Sequence, residues 1–176
     1  MADATPQPDT ATDEDRRCVA TLTGLAQGKL GTWHALTAGC SRAHAEKALG
    51  PSKGDDSMGD LGGTPTPYRS YPATAAAPEG IRVWFRDQHI VLVGVPHPTL
   101  AEPLETSLGA PEGKERSLLA SGATQWIYAT RGVVVHTWPS QMTKPFQVYA
   151  FPPMSLDEFL RSWLAKIEIR RIRAPR

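Results

Sequence analysis

The residues best equipped for chemistry in this chain are five histidines, His34, His44, His89, His97 and His136, and two cysteines, Cys18 and Cys40. Cys40 and His44 stand four apart in a helix-forming segment, so they share a face and could offer two ligands to a metal ion. A tetrahedral site needs further ligands, and no CxxC or HxxxH pair supplies them, so no metal is expected. Cys40 also precedes that helix, where a thiol pKa is lowered, and His136 would be its base if the fold brought the two together. Nothing in the spacing does so. No Gly-x-Ser-x-Gly occurs, and Gly59, Gly62 and Gly63 lack the Gly-Lys-Ser/Thr of a phosphate loop. The adjacent carboxylates Asp55-Asp56 and Asp157-Glu158 fall in a loop and a helix cap. The expectation is a non-enzymatic protein without a cofactor.

Binding is the better-supported chemistry. In Ile81–Arg86, Ile81, Val83 and Phe85 alternate with Arg82, Trp84 and Arg86. Successive strand side chains point to opposite sides of a sheet, so one set faces a core and the other faces away. Ile127, His136 and Trp138 are expected on that second face. Arg, Trp, His and an aliphatic residue together have the composition of a protein-binding hot spot, and another protein is the expected partner. The alternative to an open face is one covered by the long 51–80 connection or by a helix. A second candidate is the basic end, Arg170, Arg171, Arg173 and Arg176, which would suit nucleic acid.

The elements that must position these residues are partly legible. The chain has 176 residues, with 40% hydrophobic and 21% charged, which suits one folded domain. The net charge of +1 argues against a polyanion-binding body. Charge is polarised: residues 1–15 hold Asp3, Asp9, Asp13, Glu14 and Asp15, and the far end is basic. Residues 1–13 read as a disordered acidic tail, 14–169 as one α+β domain, and 170–176 as a basic tail. The acidic N-terminus has no apolar signal core and no run is long enough to span a membrane, so a cytoplasmic location with two reduced thiols is expected.

Val19, Leu22 and Leu25 predict a first short helix. Ser41 as N-cap, Ala43–Leu49 and Gly50-Pro51 predict a second. Residues 51–80 are rich in Gly and Pro and are expected to be a long loop. Ile81–Arg86 and His89–Val95 form a hairpin turning at Asp87-Gln88. An irregular helix over 99–108 and a polar connection over 112–123 follow. Gln125–Thr130 and Val133–Trp138 form a second hairpin, and Phe146–Phe151 a further strand. Ser155 with Glu158 is a capping box opening an amphipathic helix to Glu168, with Leu156, Phe159, Leu160, Trp163, Leu164 and Ile167 on one face.

An internal repeat is visible. The two hairpins align with Val83 on Trp126, Trp84 on Ile127, Phe85 on Tyr128 and Ile90 on Val133, giving units over 36–95 and 99–151. The stretch LTAGCSRAHAEKALGP, residues 36–51, resembles the Gly, small polar, helix, Leu-Gly-x-Pro opening of repeats in the β-lactamase-inhibitor-protein and outer-membrane assembly lipoprotein (BamE-like) group. Residues 100–111 match it less well, because Pro103 interrupts and the Gly-Ser start is missing. That resemblance implies a short helix ahead of an antiparallel sheet, and protein binding through a sheet face. The predicted architecture is therefore an antiparallel sheet from two helix–loop–hairpin units, with a C-terminal helix on one face.

Overall fold

The computed structural model describes residues 11–30, 36–141 and 143–167. Its central hairpin is the one the alternating pattern predicts. Asp87 and Gln88 take φ of 48° and 67°, the left-handed values that two-residue hairpin turns require. They join β3 (Ile81–Arg86) to β4 (His89–Pro96). Around them stands an antiparallel sheet of eight strands, with β1 Lys53–Leu61, β2 Thr64–Tyr71, β5 Gly113–Arg116, β6 Thr124–Tyr128, β7 Val133–Thr137 and β8 Gln147–Ala150. The spatial order is β1-β2-β3-β4-β8-β7-β6-β5.

Four α-helices lie among the described residues: α1 Asp13–Ala26, α2 Arg42–Leu49, α3 Leu104–Leu108 and α4 Leu156–Arg161. Capping boxes start α1 (Thr12 with Asp15) and α4 (Ser155 with Glu158), each meeting otherwise unpaired N–H groups of the first turn. The first three helices cover one face of the sheet. Leu22, Leu25, Ala45, Leu104 and Leu108 pack there on Val83, Phe85, Val93, Val95, Tyr128 and Val135. On the second face Phe159 and Leu164 pack on Ile127, Val134, Tyr149 and Phe151. Phe159 stacks on Phe151 at 5.3 Å. The fold is thus α+β, with sheet alternation dividing two apolar clusters.

Several expectations are corrected. Residues 51–80 are not a loop: they contain the β1–β2 hairpin, and β1 is an exposed edge whose sequence, KGDDSMGDL, has weak strand propensity. It forms because β2 supplies a partner, with Ser57 opposite Tyr68 and Gly59 opposite Thr66, and because Tyr71 is buried at the far end of β2. The polar connection over 112–123 likewise contains β5, paired to β6. The irregular helix shrinks to α3, capped by Pro103. The closing helix divides at Ser162, whose hydroxyl donates to Phe159 O and accepts from Leu164 N. A 3-10 turn, Trp163–Lys166, continues from there, which leaves Leu160 exposed rather than packed. Glu168 lies outside the described residues.

Thr12 caps α1 and Asp13 begins it, so these two residues fall outside the expected tail; residues 1–10 and the end of the chain, with Arg170, Arg171, Arg173 and Arg176, lie outside the described residues. The thiols are not reduced: Cys18 on α1 and Cys40 ahead of α2 form a disulfide, both fully buried.

The chain runs twice through a helix followed by four strands, α2 with β1–β4 and α3 with β5–β8. The last strands of the two units, β4 and β8, pair with each other, Val93 opposite Ala150 and Val95 opposite Val148. The residue matches of the sequence repeat do not follow this order. They set β3 against β6, whereas the position of each strand within its unit sets β3 against β7.

Candidate binding cleft

Strand parity sends Tyr68, Trp84, Leu92, Tyr149, Gln147, His136 and Gln125 to the second face, as the cross-strand partners Tyr68–Trp84, Trp84–Leu92, Gln147–His136 and His136–Gln125 require. The C-terminal segment covers that face over β6 and β7. Gln125 Nε2 donates to Ala165 O at 3.1 Å, and Trp163 meets the β1–β2 turn. What stays open is a cleft of about 650 Å³. Its floor is Trp84, Leu92 and Tyr149, and its walls include Tyr68, Met58, Leu119, Phe146 and Ile167.

The floor depends on a missing side chain. A Cβ on Gly94 would stand 3.0 Å from both Trp84 Cζ3 and Tyr149 Cε1. Glycine therefore lets rings from β3 and β8 close over β4. The row of rings extends both ways: Tyr68 is 5.3 Å from Trp84, Tyr149 meets His136 edge-on at 5.7 Å, and Phe146 lies 5.2 Å from Trp138. Such spacings are those of favourable offset and edge-to-face pairs. Burial pushes the Tyr149 phenol pKa up.

Of the six residues predicted to form the contact face, Arg82 and Trp84 line the cleft. Arg86 is exposed beside the Asp87-Gln88 turn, outside the cleft lining, and Trp138 is half-buried at the end of the ring row. Ile127 and His136 are not surface residues. Ile127 is fully buried in the cluster with Phe159, and His136 is 2% exposed. Parity placed both correctly, but a strand says nothing of what later covers its face. Tyr149, Phe146 and Gln147 were missed as cleft residues; alternation along Gln147–Ala150 carries the signal for Gln147 and Tyr149, whereas Phe146, just ahead of β8, has the opposite parity.

The contact between Ser117 and His136 is a packing feature. Ser117 Oγ lies 2.8 Å from His136 Nδ1 and accepts Leu119 N–H at 3.2 Å. Ser117 is 1% exposed, so no substrate reaches its hydroxyl. Desolvation holds the imidazole pKa down at about 4, so the ring is neutral at pH 7, and the buried Nε2 has no partner among the described residues. Cys40 is consumed by its disulfide, which removes the thiolate and the paired Cys40–His44 ligands together. His44 Nε2 instead meets Asp15 Oδ1 at 2.8 Å. Hydrogen bonds from the Thr12 hydroxyl and N–H, then from His44, hold the Asp15 carboxyl at about 2. No group of three or more His, Cys, Asp or Glu among the described residues is placed to hold a metal ion. No helix among them is long and apolar enough to cross a membrane.

The chain matches no protein-family model, and no curated protein matches it. It is similar to the crystal structure of a DUF4309-family protein, YjgB, from Bacillus subtilis subsp. subtilis, with 12% identity and a TM-score of 0.37, over 78% of this chain and 99% of that one.

Proposed function

We propose that this chain is a non-enzymatic protein-binding module of inhibitor, immunity or adaptor type, and that its contact surface is the cleft on the second sheet face. The observation that carries the reading is the pairing of a ring-lined floor, Trp84 and Tyr149 closed over Gly94, with the exposed Arg82 beside it. Aromatic and arginine side chains in a partly enclosed recess are the residues that dominate binding energy at protein interfaces. Helix-plus-four-strand units occurring twice support a further part of the reading. We take them as related copies, in keeping with the resemblance to the β-lactamase-inhibitor-protein and BamE-like group.

The test is the double substitution Trp84→Ala with Arg82→Ala. Circular dichroism should stay native while capture of the partner from an extract of the native cell is lost. Capture that survives in a folded double variant would remove the cleft from the reading.

The disulfide bears on location. Disulfides persist in oxidising compartments and are rare where thiols are kept reduced. We therefore place the working protein in an oxidising compartment rather than the cytoplasm. Mass spectrometry of the protein taken from its native cell under alkylating conditions should find Cys18 and Cys40 unmodified and linked. Alkylation of both would return the protein to a reducing location.

A further inference from the structure

We propose that Arg42, Arg69 and Tyr71 form a binding site for a tetrahedral oxyanion of the phosphate class, with the Asp56 carboxylate as its built-in competitor. The site lies on the helix-covered face of the sheet, so it is independent of the cleft.

The fold brings these residues together from three elements. Arg69 and Tyr71 stand two apart on β2, so both point to the face that α2 covers. Arg42 and Glu46 stand one turn apart on α2 and meet them there. Asp56 comes from a bulge in the edge strand β1, where residues 54–56 oppose Arg69 alone. Its carboxylate accepts from Arg42 Nη2 at 2.8 Å and from Arg69 Nε at 2.5 Å. Arg69 Nη1 also donates to Glu46 Oε1 at 3.0 Å and to Ser52 Oγ at 3.3 Å. The Arg42 and Arg69 side chains are 19% and 24% exposed, which encloses the clamp without sealing it.

What points to a ligand is a surplus of buried donors. The Tyr71 hydroxyl and Arg42 Nε are buried, and neither has a hydrogen-bond partner among the described residues. Tyr71 is 1% exposed, and burial pushes its pKa up to about 12, so the phenol keeps its proton. The charges of Glu46, Arg69, Arg42 and Asp56 all act on that phenol, which places it against the clamp. A buried donor left without an acceptor is costly. Each oxygen of Asp56 is already taken by an arginine. A phosphate has four oxygens, enough for both guanidinium groups and the phenol together. Asp56 is exposed on an edge strand, so its carboxylate can turn into solvent. Arg42 and Arg69 then outnumber Glu46, which leaves a net positive charge for the anion.

The experiment titrates the whole ¹⁵N-labelled chain at constant ionic strength. It reads the arginine Nε–H signals, assigned from Arg42→Lys and Arg69→Lys spectra. The probes are inorganic phosphate, O-phosphoserine and acetate. Phosphate or O-phosphoserine should shift both signals to saturation, and the tighter of the two gives the source as a free anion or an ester. Acetate offers no more oxygens than Asp56 and should bind about tenfold or more weakly than phosphate. Asp56→Asn removes the competing charge and should tighten phosphate binding about tenfold. Tyr71→Phe should weaken it about three- to tenfold, the scale of one hydrogen bond, with a melting curve no lower than the native one. Shifts that grow linearly with every probe, equal affinity for acetate and phosphate, or an unchanged phosphate affinity in folded Asp56→Asn or Tyr71→Phe would each overturn the proposal.

Discussion

Gly62, at the tip of the β1–β2 turn, lies directly against Trp163: a Cβ on Gly62 would stand 2.5 Å from the Trp163 Cβ. Through this contact the exposed edge hairpin of one end of the sheet is latched to the C-terminal segment that covers the other end. The two together wall the cleft. Neither partner has local reasons to find the other, since about a hundred residues separate them in the chain.

Gly62→Ala should therefore open the latch. Gly62 has φ of +66° and its neighbour Gly63 has φ of +82°, but nothing lies within 4 Å of a Cβ at Gly63. Both alanine variants bear the backbone strain of a left-handed residue, and only Gly62→Ala adds the collision with Trp163. Its cost should exceed that of Gly63→Ala by about 1–3 kcal/mol, the usual scale of overpacking. Urea melts with the tryptophan emission spectrum measure this. Equal losses in the two variants would mean that Trp163 simply moves aside.

His136 sets a pH dependence. Its pKa is 6.5 in its ordinary state and about 4 in the fold, lowered by burial. Between those values the unfolded chain binds a proton that the native state refuses, so stability is full above pH 6.5 and falls as pH drops towards 4. The loss is about 3 kcal/mol at its largest. Carboxylates contribute lower down: Asp15, held at about 2 against an ordinary 3.8, loses its contribution only as pH falls from 3.8 through 2. Chemical melts from pH 7 to pH 4 should show the slope, and His136→Gln should flatten it. An unchanged slope in that variant would assign the effect to other groups.

The Cys18–Cys40 bridge spans 22 residues and ties α1 to the start of α2. Replacing both cysteines by serine should cost roughly 2–4 kcal/mol. The loss should be felt first in α1, because its remaining hold is one apolar face, with Leu22 and Leu25 in the core, and surface polar contacts such as Asp15 with His44. Hydrogen exchange should speed at the Leu22 and Leu25 amides well before those of Val93 and Val135 in the sheet. Uniform acceleration would show that α1 and the sheet unfold as one unit.

Much of the sheet was legible because the information is local. Alternation in Ile81–Arg86 fixes which side chains share a face, and Ser155 with Glu158 fixes where α4 begins. The unreadable parts lack that local signal. β1 carries glycine and aspartate at positions where strands prefer branched residues, so only pairing with β2 makes it a strand. The closing helix has a continuous apolar pattern, yet the Ser162 hydroxyl captures Phe159 O and Leu164 N and breaks it. Of the cleft lining, parity places Arg82 and Trp84 on the opposite face of the strand from their neighbours and Tyr149 on the side of Trp84, whereas the burial of Ile127 and His136 depends on what covers the strand.

The amino-acid sequence alone determined the period-two faces of the strands, the hairpin turn at Asp87-Gln88, the capped helix starts and the α+β class, because each depends on residues within a few positions of one another. Tertiary structure decided the rest. It joined two cysteines whose spacing offers no reason to pair, set β4 beside β8, and folded the C-terminal segment over half of one face. Coverage is a long-range property: the same alternation that aims Trp84 and Ile127 in one direction leaves Trp84 in an open cleft and seals Ile127 beneath Phe159 and Leu164.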